Sequence, residues 1–336
     1  MRHLPLILAV VVHAAFADTG SVPLTSHGGT AWYLSLSVGT PPNTFTALVS
    51  TGISDLILPG QDCHNCDGHT LFDTGSSSTS QDLGLTFNTT SGSGNVFTDT
   101  ISIGGITATE QAMGVATQYS KNMTRDQSPA DGLLGLGFKS LDSFGQSPLM
   151  RTLIAQGQLS EPVFSLKLVS GGSELFLGGK NGDLYTGEIT YSQVTEENSW
   201  TVMLDSININ KNPAIFNHKA TIDSGSSLII LSPSDAKEFF NNIPGSRASS
   251  VAGDGYYAYP CNSTTVVSLT FGGKSFDIAP DKFNMGSEEK GSSFCIAGIV
   301  GKESGLQSIV VGSNFLTNVY TIFDIGNKRV GFASLA

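Results

Sequence analysis

The chain has 336 residues, of which 39% are hydrophobic and 13% charged, with 39 glycines and a formal net charge of -11 from 17 Lys plus Arg against 28 Asp plus Glu. That is ample material for a large buried core, and acidity without a basic cluster argues against nucleic acid or an anionic membrane as a partner. It suits an acidic extracellular medium, where protonated carboxylates repel less, although acidity that merely keeps a secreted protein soluble explains it equally well.

At the N-terminus, Arg2 and His3 precede an apolar run over residues 4–12, and Ala15-Phe16-Ala17 is a small-x-small cleavage site. This pattern predicts a signal peptide over residues 1–17, since the run falls short of the roughly 20 apolar residues that span a bilayer. Secretion to the extracellular space is therefore expected. Residues 18–29 then lead to a first strand predicted over residues 32–38. Short Val/Ile/Leu/Phe runs between Ser/Thr/Gly clusters continue to the C-terminus and predict an all-β protein rich in tight turns.

An apolar strand end meets a turn at Leu48-Val49-Ser50-Thr51-Gly52-Ile53-Ser54. Cys63 and Cys66 follow and bracket a short loop, which leaves Cys261 and Cys295 to pair in an oxidising compartment. Cys63-x-x-Cys66 also fits a redox motif or half a zinc site, but the other two cysteines lie far apart and no His-rich cluster accompanies them. No metal and no cofactor are expected. Asn88, Asn122 and Asn262 each open an N-x-S/T sequon, as in a glycoprotein. Two short helices are predicted: residues 147–156, with Ser147 as cap and Pro148 at the first helical position, and residues 233–240, with Ser232 as cap.

The turn at Ser50 has a second copy, Thr221-Ile222-Asp223-Ser224-Gly225-Ser226-Ser227. Each copy is followed, at a nearly equal interval, by two aliphatics and a glycine, Leu133-Leu134-Gly135 and Val310-Val311-Gly312. Two elements in matching order predict two copies of one β-rich unit facing each other across a cleft. The connection between them is placed near residues 187–195, where strand-like runs give way to polar Thr195-Glu196-Glu197-Asn198-Ser199, so residues 18–188 and 189–336 are read as the two lobes.

Gly39-Thr40-Pro41-Pro42, Val49-x-Thr51-Gly52-x-Ser54-Asp55-Leu56, Asp131-Gly132-Leu133-Leu134-Gly135-Leu136-Gly137, Ile222-Asp223-Ser224-Gly225-Ser226-Ser227 and Phe323-Asp324 through Arg329-Val330-Gly331-Phe332-Ala333 occur in that order. From about Ser21 onward the chain resembles the pepsin family of aspartic peptidases, and within it the secreted fungal members. The resemblance implies a two-lobed double β-barrel with a central cleft and few short helices, each lobe supplying one Asp to a catalytic dyad. Such carboxylates, held about 3 Å apart, cannot both ionise comfortably; they share a proton and activate a water between them. Asp223 stands at the second carboxylate's position and Ser50 at the first. Thr51, Gly52, Ser224, Gly225 and Ser226 stand where the family's dyad-supporting residues do, with the Thr51 and Ser224 hydroxyls stitching the turns together.

A serine hydroxyl cannot hold the shared proton of an acid pair or act as a base near neutral pH. Losing one member of a catalytic unit costs on the order of 10⁴-fold or more. Ser50 activated as a nucleophile by Asp223 lacks a good base, and nothing in the sequence aims His218 at it. Asp18-Thr19-Gly20 and Asp73-Thr74-Gly75 resemble the active turn locally. The first has no strand before it, and a polar Ser/Thr tract follows the second, so both are read as loop.

Active relatives carry a flap hairpin with a Tyr. The corresponding residues 86–95, ending at Thr98-Asp99-Thr100, hold no Tyr, look shorter and include the Asn88 sequon. Relatives also carry a basic pro-segment where this chain has only residues 18–29, and a small hydroxyl residue where it has Ile53. The expectation is an inactive or severely impaired monomeric pseudopeptidase that binds an extended peptide or a secreted protein in its cleft. The rivals are weak aspartic endopeptidase activity through Asp223 and a purely structural secreted glycoprotein.

Overall fold

A computed structural model describes residues 18–336 apart from Leu306. The expected signal peptide, residues 1–17, lies outside the described residues. The architecture is all-β and two-lobed, with four short α-helices among the described residues, none of them long and apolar enough to cross a membrane.

Period-two patterning builds the strands. In Ala31–Val38 the side chains of Trp32, Leu34, Leu36 and Val38 point into the core while the residues between them face outward. That strand pairs antiparallel with Asn43–Ser50, which in turn runs parallel to Gly132–Gly135. The second half repeats the arrangement. Thr201–Ile209 pairs antiparallel with Asn212–Ile222, and Asn212–Ile222 runs parallel to Ile309–Val311. The Leu-Leu-Gly and Val-Val-Gly runs are thus the strands that lie beside the two turns.

The halves are joined by six strands in the order Gly20–His27, Ser173–Leu177, Val163–Lys167, Val319–Asp324, Arg329–Leu335 and Tyr185–Glu196. One segment differs from expectation here: residues 20–27 are a strand rather than a lead-in. The residues read as the connection, 187–195, run within the strand Tyr185–Glu196, whose residues 189–191 the sequence marks as strand-like. The polar surface of Tyr185–Glu196 masks its strand character; its backbone is fixed by pairing with Arg329–Leu335 and Thr201–Ile209.

The helix Leu149–Ala155 starts one residue later than expected. Pro148 itself is the N-cap, with extended backbone angles, and no side chain caps the helix, so Ser147 does not play that part. In the helix Pro233–Asn241, Ser232 is the cap, its hydroxyl accepting from the Asp235 N–H. The disulfides are Cys63–Cys66 and Cys261–Cys295. The second ties Tyr257–Pro260 to Phe294–Ala297 within a small four-stranded sheet on the C-terminal half. Both tryptophans are buried and belong to one apolar core that runs through both lobes.

Candidate active site

Two strand ends deliver the central side chains. Phe45, Ala47 and Val49 of Asn43–Ser50 are buried, so alternation turns Ser50 to the opposite face, toward the cleft. Ile222, at the end of Asn212–Ile222, is fully buried, and the next residue, Asp223, faces the cleft from the other lobe. Neighbouring strands fix both ends. The Leu136 N–H donates to the Ser50 carbonyl at 2.8 Å, and the Asp223 N–H donates to the Val311 carbonyl at 3.1 Å.

The turns are cross-linked by four reciprocal hydrogen bonds. Thr51 Oγ1 donates to the Ile222 carbonyl (2.9 Å) and accepts from the Ser224 N–H (3.0 Å). Ser224 Oγ donates to the Val49 carbonyl (3.2 Å) and accepts from the Thr51 N–H (3.1 Å). All of these groups are buried, so the bonds stitch one lobe to the other where water does not compete. Gly52 and Gly225 let the turns approach: a Cβ on Gly52 would lie 2.6 Å from Asp223 Cγ, and one on Gly225 would collide with Ser50 Oγ.

At the centre, Ser50 Oγ donates to Asp223 Oδ1 at 3.2 Å and accepts from the Gly52 N–H at 3.1 Å. The Gly225 N–H donates to the same Asp223 oxygen at 2.8 Å, so each turn folds a glycine amide back onto its own central side chain. Burial is the largest influence on Asp223 and pushes its carboxyl above the ordinary range, against hydrogen bonds from Gly225, Ser50, Gly52 and Ser226 that favour the anion. The absence of a like-charged neighbour therefore does not restore ordinary titration, because desolvation raises the pKa alone. The arrangement can present one carboxyl, whose protonated form burial favours, and one hydroxyl to a bound group.

The walls of the cleft are apolar. A hollow of about 270 Å³ around Ser50 and Asp223 is lined in part by Ala31, Trp32, Leu48, Ile53 and Leu133, with Ser91 as a polar contact from the hairpin. Ile53 lines this hollow, and its carbonyl accepts from the Gly137 N–H at 2.7 Å. The hairpin consists of Gln81–Asn88 and Gly92–Ile103, with residues 89–91 as its tip. That tip is tied down. Gly92 pairs with Tyr119 on its other side, and the Ser120 N–H donates to the Ser91 carbonyl at 3.0 Å.

The remaining sequence-selected residues lie elsewhere. Asp73 is exposed and accepts from the Gly75 N–H as cap of a 3-10 turn, and Asp18 is exposed and bridges to Leu159. His218 lines a separate polar hollow with Ser232 and Asp235. Asn88, Asn122 and Asn262 are all exposed. No group of three or more potential metal ligands occurs among the described residues.

Sequence reasoning missed the lining residues Trp32, Leu48 and Leu133. Their signal is positional, since they sit in the strands flanking the two turns. It also missed an acid pair beside the first turn. Buried Asp55 is pushed up to about 7, chiefly by desolvation and then by a hydrogen bond to Asp142, whose charge adds to the effect, while the Ser143 N–H lies 3.2 Å from both Asp55 oxygens and opposes the shift.

A family model described as eukaryotic aspartyl protease matches residues 31–335. A protein named "Aspartic protease" from Phaffia rhodozyma is 38% identical over 329 residues, covering 94% of this chain and 79% of that protein. "Major aspartyl peptidase 1" of Cryptococcus neoformans var. grubii serotype A is 33% identical over 350 residues, covering 94% and 71%. "Pepsin A" of Sus scrofa is 30% identical over 339 residues, covering 96% and 86%.

Proposed function

The chain belongs to the eukaryotic aspartyl protease family, and from that premise we propose that it is a pseudopeptidase, holding extended peptide or a secreted protein in its cleft with little or no hydrolysis. The observation that carries this reading is the pair at the cleft floor, where Asp223 meets the Ser50 hydroxyl at 3.2 Å instead of a second carboxyl. Hydrolysis through a dyad needs one carboxylate to take a proton from water while its partner protonates the scissile carbonyl. Ser50 occupies the position of the family's first Asp and cannot serve as that base, because its hydroxyl does not ionise in the working range. Asp223, raised by burial, remains suited to donating a hydrogen bond to a peptide carbonyl.

The hairpin adds support. In the family a flap closes over substrate, whereas this tip has no Tyr and is bonded to the Ser120 amide. The apolar run and small-x-small site over residues 1–17, the two disulfides and the three exposed sequons support secretion as a glycoprotein, which this reading takes to work as a monomer. Lobe limits of 18–188 and 189–336 belong to the same reading.

The second reading is a weak endopeptidase acting through Asp223. It is favoured by the names of the similar proteins, "Aspartic protease" among them. Digestion of casein or haemoglobin from pH 3 to 7, with and without pepstatin, separates the two. Pepstatin-sensitive cleavage by the native chain would sink the pseudopeptidase reading. The expected result is no cleavage above background, with Ser50→Asp gaining pepstatin-sensitive cleavage by 10²-fold or more, the direction expected when the missing member of a catalytic unit is restored.

A further inference from the structure

Behind the two turns lies a hollow larger than the one around Ser50 and Asp223, about 520 Å³ against about 270 Å³, and the two share no lining residue. Its volume is within the range of sites that take small organic ligands, roughly 300–1,000 Å³. The floor is apolar: Phe138, Met150 and Ile154 from the N-terminal half, Trp200 and Ile325 from the C-terminal half. Trp200 is almost completely buried and packs against Phe138 in a tilted arrangement, 4.5 Å between ring centres.

The rim has the opposite character to the molecule. On a chain of net charge -11 it carries Lys139, Arg151 and Lys328 against one carboxylate, Glu197. Lys328 Nζ is paired with Glu197 at 2.5 Å. Lys139 and Arg151 are exposed and have no carboxylate partner among the described residues, so the rim keeps two uncompensated positive charges above an apolar floor. A neutral apolar ligand would leave those charges unused, and a small hydrophilic anion would leave the floor unfilled.

We propose that this hollow binds a fatty carboxylate, its chain against Trp200 and Ile154 and its head group between Lys139 and Arg151. Desolvating the chain against the apolar floor drives its burial, while the charged rim selects the head group. The site touches the cleft turns through the backbone. The Gly137 N–H donates to the Ile53 carbonyl (2.7 Å), Trp200 Nε1 donates to the Leu136 carbonyl (3.0 Å), and the Ile222 N–H donates to the Trp200 carbonyl (2.9 Å).

The two tryptophans make the test selective, since Trp32 lines the cleft and Trp200 lines this hollow. In Trp32→Phe, where Trp200 is the sole indole, decanoate below its micellar concentration should change emission saturably. Decanol should bind at least tenfold more weakly, and acetate should give no response. In Trp200→Phe, where only Trp32 reports, decanoate should leave emission unchanged. Lys139→Glu combined with Arg151→Glu on the Trp32→Phe background should weaken decanoate at least tenfold with unchanged circular dichroism. The proposal is overturned by the absence of a saturable Trp200 response, by decanol binding as tightly as decanoate, by a response confined to Trp32, or by affinity that survives charge reversal. Should the charge-reversal variant fail to fold, the comparison of decanoate with decanol still decides the matter.

Discussion

Asp223 is a carboxyl whose surroundings oppose its charge. Burial raises its pKa in the folded chain above the ordinary carboxylate value of about 3.9, and four hydrogen bonds to its oxygens only partly offset that. The stabilisation gained by burying the neutral acid is therefore fully present below the unfolded pKa and is lost as pH rises through the folded one. Asn at this position stays neutral throughout. Urea midpoints of the native chain should fall between pH 3.5 and pH 7.5 by more than those of Asp223→Asn. Asp55 titrates in the same sense near 7 in both proteins, so the difference between the two curves reads Asp223 alone. Parallel curves would mean that Asp223 titrates normally and that burial at the cleft floor costs the anion nothing.

At the scale of elements, legibility follows how local the cause is. The turns at Ser50 and Asp223 stood out in the sequence because close approach demands Gly52 and Gly225, and the cross-link demands Thr51 and Ser224, all within a few residues. The two aliphatic-aliphatic-Gly strands were legible as a repeat. Their parallel pairing with the strands that end at the turns was not, since nothing local encodes a partner so distant in the chain. Gly20–His27 escaped, and Tyr185–Glu196 was legible only over residues 189–191, for the same reason: each is a strand because a remote segment pairs with it, and Tyr185–Glu196 buries too little to show alternation. The cleft-lining Trp32 and the Asp55–Asp142 pair likewise depend on segments meeting in space. Cysteine spacing, by contrast, carries a quantitative expectation. Closing a loop restrains the unfolded chain more as the loop lengthens, so Cys261–Cys295, at a separation of 34, should contribute about 3–4 kcal/mol, and Cys63–Cys66, at a separation of 3, about 2 kcal/mol or less. Replacing each pair with alanines and comparing urea denaturation checks the ranking; equal losses would show that loop entropy is not the governing term.

Across the whole molecule, the question is what makes two duplicated halves behave as one body. Three devices span the seam: the Thr51–Ser224 cross-link, the six-stranded sheet in which Val163–Lys167 pairs with Val319–Asp324, and an aromatic cluster beneath the turns. Phe164 stacks on Phe323 at 4.7 Å, and Trp200 packs on both, at 5.8 and 5.0 Å, while its Nε1–H donates across the seam to the Leu136 carbonyl. Removing a buried aromatic of this size costs about 3–5 kcal/mol, and here it also strands the carbonyl of buried Leu136. Trp200→Ala should therefore lose about 3–5 kcal/mol and also unfold less cooperatively. The remaining Trp32 sits in the N-terminal half, so its fluorescence follows that half, whereas far-ultraviolet circular dichroism follows the entire chain. In the native protein both probes should give one midpoint in urea, as a two-state transition requires. In Trp200→Ala the two midpoints should separate. Coincident midpoints in the variant would assign the coupling to the six-stranded sheet and the Thr51–Ser224 cross-link instead, because those are the two devices across the seam that the substitution leaves untouched.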